Sequence, residues 1–166
     1  MEAEQADALK VLLGEKVSIQ PETLERYSRD ETSHLAAKPE AVVFAADTAD
    51  VSKLLKFCSE KKIPVTPRGQ GTGVSGGALP VEGGVLLTLE RMNRILEIDT
   101  ANRMAVVQPG VITGELQEAV EERGLFYPPD PASLDSCSIG GNVIEGAGGP
   151  RAVKYGTTKD YVTGLE

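Results

Sequence analysis

Thr66–Pro80 reads TPRGQGTGVSGGALP and carries five glycines: Gly69, Gly71, Gly73, Gly76 and Gly77. Ordering glycine costs more conformational entropy than ordering any other residue, so a cluster this dense implies a backbone that approaches something closely. A Gly-rich turn straight after a strand can present successive main-chain N–H groups as a concave anion site. A P-loop would end in Gly-Lys-Ser/Thr, which occurs nowhere in the chain. Gly71-x-Gly73-x-x-Gly76 matches a dinucleotide fingerprint, but that fingerprint must open a helix. Gly77, Pro80, Gly83 and Gly84 follow instead, and no helix can begin among them. What remains is an extended loop that wraps a phosphate with main-chain donors, helped by the Thr72 and Ser75 hydroxyls. On the glycines alone, a flexible turn is an equal alternative.

Working outward, AVVFAA (Ala41–Ala46) reads as a short buried strand. Asp47 or Thr48 can cap a following helix, whose apolar face is Val51, Leu54, Leu55 and Cys58. PVTP, starting at Pro64, is a second strand that runs into the glycine loop. Strand, helix, strand at this spacing predicts a parallel pair with a right-handed crossover. Before it, Leu9, Leu12 and Leu13 have helical spacing, Pro21 to Tyr27 adds a turn or two, and Ser28–Pro39 is a polar loop. After it, GVLLTL (Gly84–Leu89), RILEID (Arg94–Asp99) and RMAVVQPG (Arg103–Gly110) read as strands of an antiparallel meander. Thr113 is expected to cap a helix with Leu116, Ala119 and Val120 on one face and Gly124 as its stop. Beyond Tyr127 lies a second glycine cluster: Gly140, Gly141, Gly146, Gly148 and Gly149. The class is α+β, with a parallel piece and an antiparallel piece meeting at the glycine loop.

The net charge of -8 and pI near 4.8 leave no basic surface for nucleic acid or anionic membrane. No apolar run approaches the ~20 residues of a membrane span. MEAEQADALK is acidic where a targeting peptide would be basic, so a cytoplasmic location is expected. Cys58 and Cys137 have no metal-ligand spacing and read as reduced thiols, with Cys58 in a core, and no metal is expected. Cys137 falls within the second motif, where it can touch a ligand; a reactive thiol is the minority reading. His34 reads as a solvated loop residue, and Asp130 and Asp135 as stabilisers of Pro-rich turns rather than acid–base groups.

PRGQGTGVSGGALP, taken together with YPPDPASLDSCSIGGNVIEGAGGPRAVKYGTTKDYVTGLE (Tyr127–Glu166), resembles the flavoprotein family that includes vanillyl-alcohol oxidase, D-lactate dehydrogenase and the glycolate oxidase catalytic subunit. The glycolate oxidase and D-lactate dehydrogenase branch is the most similar. The resemblance starts near YSRDET (Tyr27–Thr32) and runs to the end of the chain. It implies an FAD whose pyrophosphate the first loop cradles between a small parallel subdomain and a larger antiparallel one. Carried over by motif, Arg68, Gly69, Gln70, Gly71, Thr72, Gly73, Ser75 and Gly76 hold the pyrophosphate. Pro131, Ala132, Ser133, Ser138, Gly140, Gly141 and Asn142 line the flavin and ribityl chain. Glu145, Gly146, Ala147, Gly148 and Gly149 continue that wall, and Tyr155 and Gly156 close it. A neutral wall of Ser, Asn and main-chain N–H groups suits the acceptor edges of an isoalloxazine ring.

This sequence departs from the family pattern at two positions. Thr72 stands where branches with covalent flavin carry a histidine, so FAD is expected to be non-covalent. Gly146 stands where the usual NAGG has asparagine. The resemblance further implies oxidation of a small 2-hydroxy acid, with hydride passing to flavin N5 and a base taking the hydroxyl proton. Relatives take that base from a His-rich C-terminal substrate domain, and this chain has one His and ends at VTGLE. The expectation is an N-terminal portion, inactive alone and incomplete at its C-terminus. Residues 1–37 would form a helical segment and residues 38–166 a truncated FAD-binding domain. A partner subunit or self-association through an unpaired strand edge is also expected. The alternative is a non-catalytic flavin- or nucleotide-binding module, or a subunit that needs a partner chain.

Overall fold

The AVVFAA strand is present as β2 (Ala41–Phe44), and it does not pair with the strand that ends in Arg68. The computed structural model describes Met1–Glu166, which divide into two units, Met1–Met92 and Asn93–Glu166. The first contains α1 (Ala3–Leu13), β1 (Val17–Ser18), α2 (Pro21–Arg26), β2, α3 (Thr48–Lys61), β3 (Val65–Arg68) and β4 (Val85–Thr88). Its sheet has the order β1-β2-β4-β3, with β2 and β3 each parallel to β4 and β1 antiparallel to β2. The two strands of the βαβ unit are therefore parallel as expected but are not neighbours. GVLLTL forms β4 between them, which corrects its placement in an antiparallel meander. The physical reason is burial: every residue of β4 is buried, as a central strand covered on both faces requires.

Alternate side chains of the sheet build two apolar layers. Ala41, Val43, Val85 and Leu87 pack with Leu9, Leu13, Leu54, Cys58 and Ile63. Val42 and Leu86 pack with Tyr27 on the other face. The Asp47 side chain caps α3 by accepting from the Asp50 N–H at 2.8 Å. Cys58 is a core residue, and burial pushes its thiol up to about 11. Between β3 and β4, residues 69–84 contain no helix, as the glycine and proline content dictates.

The second unit contains β5 (Ile95–Asp99), β6 (Met104–Val107), α4 (Thr113–Glu121), α5 (Ile139–Glu145) and α6 (Ala152–Tyr155), followed by a 3-10 turn at Thr158–Tyr161. β5 and β6 form a two-stranded antiparallel hairpin with a bulge between Ile95 and Glu97, so the antiparallel part has two strands rather than three. Val111, Leu116, Val120 and Ile139 form its core. Thr113 is the first residue of α4 and is fully buried, while Ile112 occupies the cap position with no side-chain cap bond. The fold is α+β, with one mainly parallel and one antiparallel sheet. No helix is long and apolar enough to cross a membrane.

Candidate functional site

In the first unit, Phe44 at the end of β2 and Arg68 at the end of β3 both register with Thr88 at the end of β4. The carboxyl edge of parallel strands is where open α/β sheets receive ligands, and the glycine loop leaves from this edge. Arg68 is buried, and its guanidinium stands over the Tyr27 ring at 5.6 Å. The Tyr27 hydroxyl donates to both carboxylate oxygens of Glu90, each at 2.9 Å. Burial, reinforced by Glu90, pushes that hydroxyl up to about 12. Arg68 Nη1, Asp30 Oδ2 and Thr32 Oγ1 are all buried without a hydrogen-bond partner. Desolvation pulls the Arg68 guanidinium below its ordinary value, and the Asp30 charge is the strongest influence opposing that.

Gly71 has a φ of 74°, and a Cβ there would overlap the Arg68 guanidinium. A Cβ on Gly76 would come within 2.8 Å of Leu35 Cδ2. The question posed by the glycines thus has an answer inside the protein: the loop closes over Arg68 and Leu35. Gly69, Gln70, Gly71, Thr72 and Gly73 are half-buried, whereas Ser75 is exposed and its Oγ accepts from the Gly77 N–H at 3.3 Å.

In the second unit the remaining sequence-predicted residues come together around α5. Ser133 O accepts from the Cys137 N–H at 2.7 Å, and Pro131 O from the Leu134 N–H at 2.9 Å, which folds Pro131, Ala132 and Ser133 into a tight turn before Ser138. The Ser138 hydroxyl, at the start of α5, is buried and has no partner. The Gly140 N–H donates to Pro109 O at 2.8 Å, and Gly141 lies beside the Ser138 hydroxyl. Glu145 ends α5 and Gly146 caps it in the left-handed region. Asn142 O accepts from the Ala147 N–H at 3.0 Å, and Ala147 O accepts from the Thr158 N–H at 2.8 Å and hydroxyl at 2.7 Å. Gly148 O accepts from the Asp130 N–H at 2.9 Å, and Gly149, with φ 76°, leaves no room for a Cβ against the Asp130 carbonyl. Tyr155 meets the Phe126 ring edge-on at 5.6 Å, and Gly156 caps α6.

Thr113 is the residue that sequence reasoning assigned too small a part. Its Oγ1 accepts from Asn142 Nδ2 at 2.6 Å and from the Cys137 thiol at 3.3 Å, and it donates to Cys137 O at 3.4 Å. Its one legible signal was its place at a helix start; its contacts are 24 and 29 residues distant in sequence. Cys137 is accordingly buried and engaged. Asp130 accepts from the Arg151 N–H at 3.0 Å and pairs with Arg151 Nε at 3.3 Å, so its carboxylate ties its own segment to one 21 residues away rather than bracing the Pro-rich turn itself. His34 is exposed, and no group of His, Cys, Asp or Glu is arranged to hold a metal ion.

Residues 39–166 match the family described as FAD binding domain. The chain belongs to this family. A glycolate oxidase subunit GlcD of Bacillus subtilis (strain 168) is 51% identical over 140 residues, covering 84% of this chain and 30% of that protein. A D-lactate dehydrogenase of Anaerostipes hadrus is 42% identical over 163 residues, covering 98% of this chain and 34% of that protein. The chain therefore spans about a third of the length of the curated relatives it matches. The solved structure of an alkyldihydroxyacetonephosphate synthase shares the fold, with a TM-score of 0.86 at 20% identity over 98% of this chain and 32% of that one. The residues present suit the cofactor of an FAD-binding domain. Each glycine motif holds a buried polar atom without a partner: the Arg68 Nη1 donor in one and the Ser138 hydroxyl in the other.

Proposed function

We propose that this chain is the FAD-binding portion of a flavin-dependent dehydrogenase or oxidase of small 2-hydroxy acids, of the glycolate or D-lactate type. Residues 38–166 make up that portion, and residues 1–37 precede it as a helical segment. The observation that carries the reading is the match of residues 39–166 to the FAD binding domain family, and two of the buried polar atoms without a partner, Arg68 Nη1 and Ser138 Oγ, fall in its glycine motifs. Buried polar groups are nearly always partnered, so two unpartnered ones in ligand-binding motifs point to a polar ligand.

Arg68 and the main chain of Gly69, Gln70, Gly71, Thr72, Gly73, Ser75 and Gly76 would hold the pyrophosphate. The arginine contributes charge and the glycines close approach. Pro131, Ala132, Ser133, Ser138, Gly140, Gly141 and Asn142, with Glu145 to Gly149 and Tyr155 and Gly156, would line the flavin. Asn142 commits its amide nitrogen to Thr113, so its part in that wall is to fix the α5 backbone. The chemistry a bound FAD supplies is acceptance of a hydride at N5 from the α-carbon of a 2-hydroxy acid. By likeness to the longer relatives, the base for the hydroxyl proton is assigned to a substrate domain or partner subunit; Asp130 is held by Arg151. Thr72 offers no histidine for attachment, so the cofactor is bound non-covalently.

The test is to incubate the purified chain with FAD, remove free flavin by gel filtration, and precipitate with acid. The expected result is co-eluting flavin that stays in the supernatant. Protein that elutes without flavin would overturn the cofactor reading, and flavin held in the washed pellet would overturn the non-covalent one. Dye reduction with glycolate or D-lactate at ~1 s⁻¹ or faster would place the base within these residues.

A further inference from the structure

We infer that Arg68 is a cation held buried and unpaired in advance of an anionic ligand, and that Tyr27 and Glu90 are the residues that position it. The inference rests on the reading above only for the identity of the ligand, a diphosphate. A buried guanidinium is ordinarily paired with a carboxylate, because an uncompensated charge in a low-dielectric site is costly. The first unit pairs Lys16 with Asp50 and Lys38 with Glu25, yet Arg68 forms no ion pair and its Nη1 has no hydrogen-bond partner.

The arrangement around Arg68 explains how this is maintained. The Tyr27 hydroxyl donates to the Glu90 carboxylate, which fixes the ring in place, and the Glu90 charge favours the guanidinium without forming an ion pair with it. The Tyr27 ring takes the cation on its face instead, a contact that supports the charge without neutralising it. Asp30, Tyr27 and Glu90 favour the charged guanidinium and Arg26 disfavours it, none of them as an ion pair. The guanidinium fills the space that a Cβ of Gly71 would need, so the charge sits directly against the loop's backbone. Tyr27 lies in the stretch between α2 and β2, so residues ahead of the βαβ unit would take part in ligand binding without touching the ligand.

Three variants, Arg68→Met, Arg68→Lys and Tyr27→Phe, test this in the full chain. Two readouts are needed: the melting temperature without ligand, and calorimetric binding of inorganic pyrophosphate and of FAD. Relieving the unpaired charge in Arg68→Met should raise the ligand-free melting temperature by about 2–4 °C. The same variant should weaken both ligands at least about tenfold, the scale of a lost charge-assisted contact. Arg68→Lys should recover part of the pyrophosphate binding. Tyr27→Phe should weaken both ligands with Arg68 intact. A merely structural arginine would give a lower melting temperature on replacement by Met, and that result overturns the inference, as does unchanged pyrophosphate binding. Pyrophosphate binding without FAD binding would sink the flavin reading and leave this one standing. FAD binding that is indifferent to Arg68→Met would do the reverse.

Discussion

Thr113→Val isolates the group that anchors the second glycine motif. Valine nearly matches threonine in volume, so the change exchanges a hydroxyl for a methyl with little cavity. Thr113 is 0% exposed and Asn142 3%, so the Asn142 amide that loses its 2.6 Å acceptor has no water to turn to. An orphaned buried donor costs about 1–3 kcal/mol, and the Cys137 thiol loses its acceptor as well. Valine no longer carries a hydroxyl that must be desolvated, which offsets part of this. The expected net loss is about 2 kcal/mol, or roughly 4–8 °C in melting temperature for a chain of this size. The assay is calorimetric melting of the wild type, Thr113→Val, Asn142→Leu and the double variant. Residues that share one hydrogen bond should show a coupling energy of at least about 1 kcal/mol in this cycle. A loss below about 0.5 kcal/mol for Thr113→Val, or strictly additive single changes, would refute the assignment of Thr113 as the anchor.

Gly71→Ala and Gly149→Ala share nearly the same backbone strain, with φ of 74° and 76°, but meet different obstacles. The Arg68 guanidinium can swing aside and the Asp130 carbonyl cannot, so Gly149→Ala should be the more destabilising by about 1 kcal/mol or more in urea denaturation, and equal losses would count against this reading. Gly71→Ala should instead weaken pyrophosphate binding, because the displaced guanidinium leaves the loop. Burial alone would raise the Asp50 carboxyl, but the Lys16 ammonium at 2.6 Å and the Ala46 N–H outweigh it and hold the group below its ordinary range. Its stabilisation is therefore complete above the unfolded value of about 4 and is lost as pH falls through the lower folded value. Asp50→Asn should cost about 1–3 kcal/mol at pH 7 and shrink the acid limb of a melting-temperature profile, and an unchanged limb would refute the attribution.

Much of the first unit was legible because its signals are local. The alternation in AVVF, the Asp47 cap and the spacing of Leu54 and Cys58 each occupy a few residues. The neighbour of β3 was not legible in that way. Strand pairing is a long-range choice, and the clue lay in the uninterrupted apolar run Val85–Leu87, which suits a strand buried on both faces; β5 and β6 leave Leu96 and Val106 exposed. α5 was hidden for a different reason. Gly140 and Gly141 are poor helix formers, and the segment is helical because tertiary partners satisfy its first turn: Val111 O accepts from Ile139 and Pro109 O from Gly140. The glycine motifs themselves were visible at once, but not the residues behind them. Nothing near Arg68 in sequence signals Tyr27 or Glu90, and nothing near Asn142 signals Thr113.

The central position of β4 also sets an order of events as the chain is made. β2 is synthesised with only the two-residue β1 to pair with and β3 with no partner, and the two cannot be joined in one sheet until Val85–Thr88 has left the ribosome. The sixteen residues 69–84 must first fold back along the length of β3, so the strand made last is the keystone. Closing a loop of this length adds little entropy beyond that of a shorter one, whereas pairing parallel strands distant in sequence is slow. The glycine loop acquires its ends, and hence its shape, only when that last strand docks. A nascent chain therefore has no preformed loop to offer a ligand, and any ligand the loop holds acts as a latch on the completed sheet.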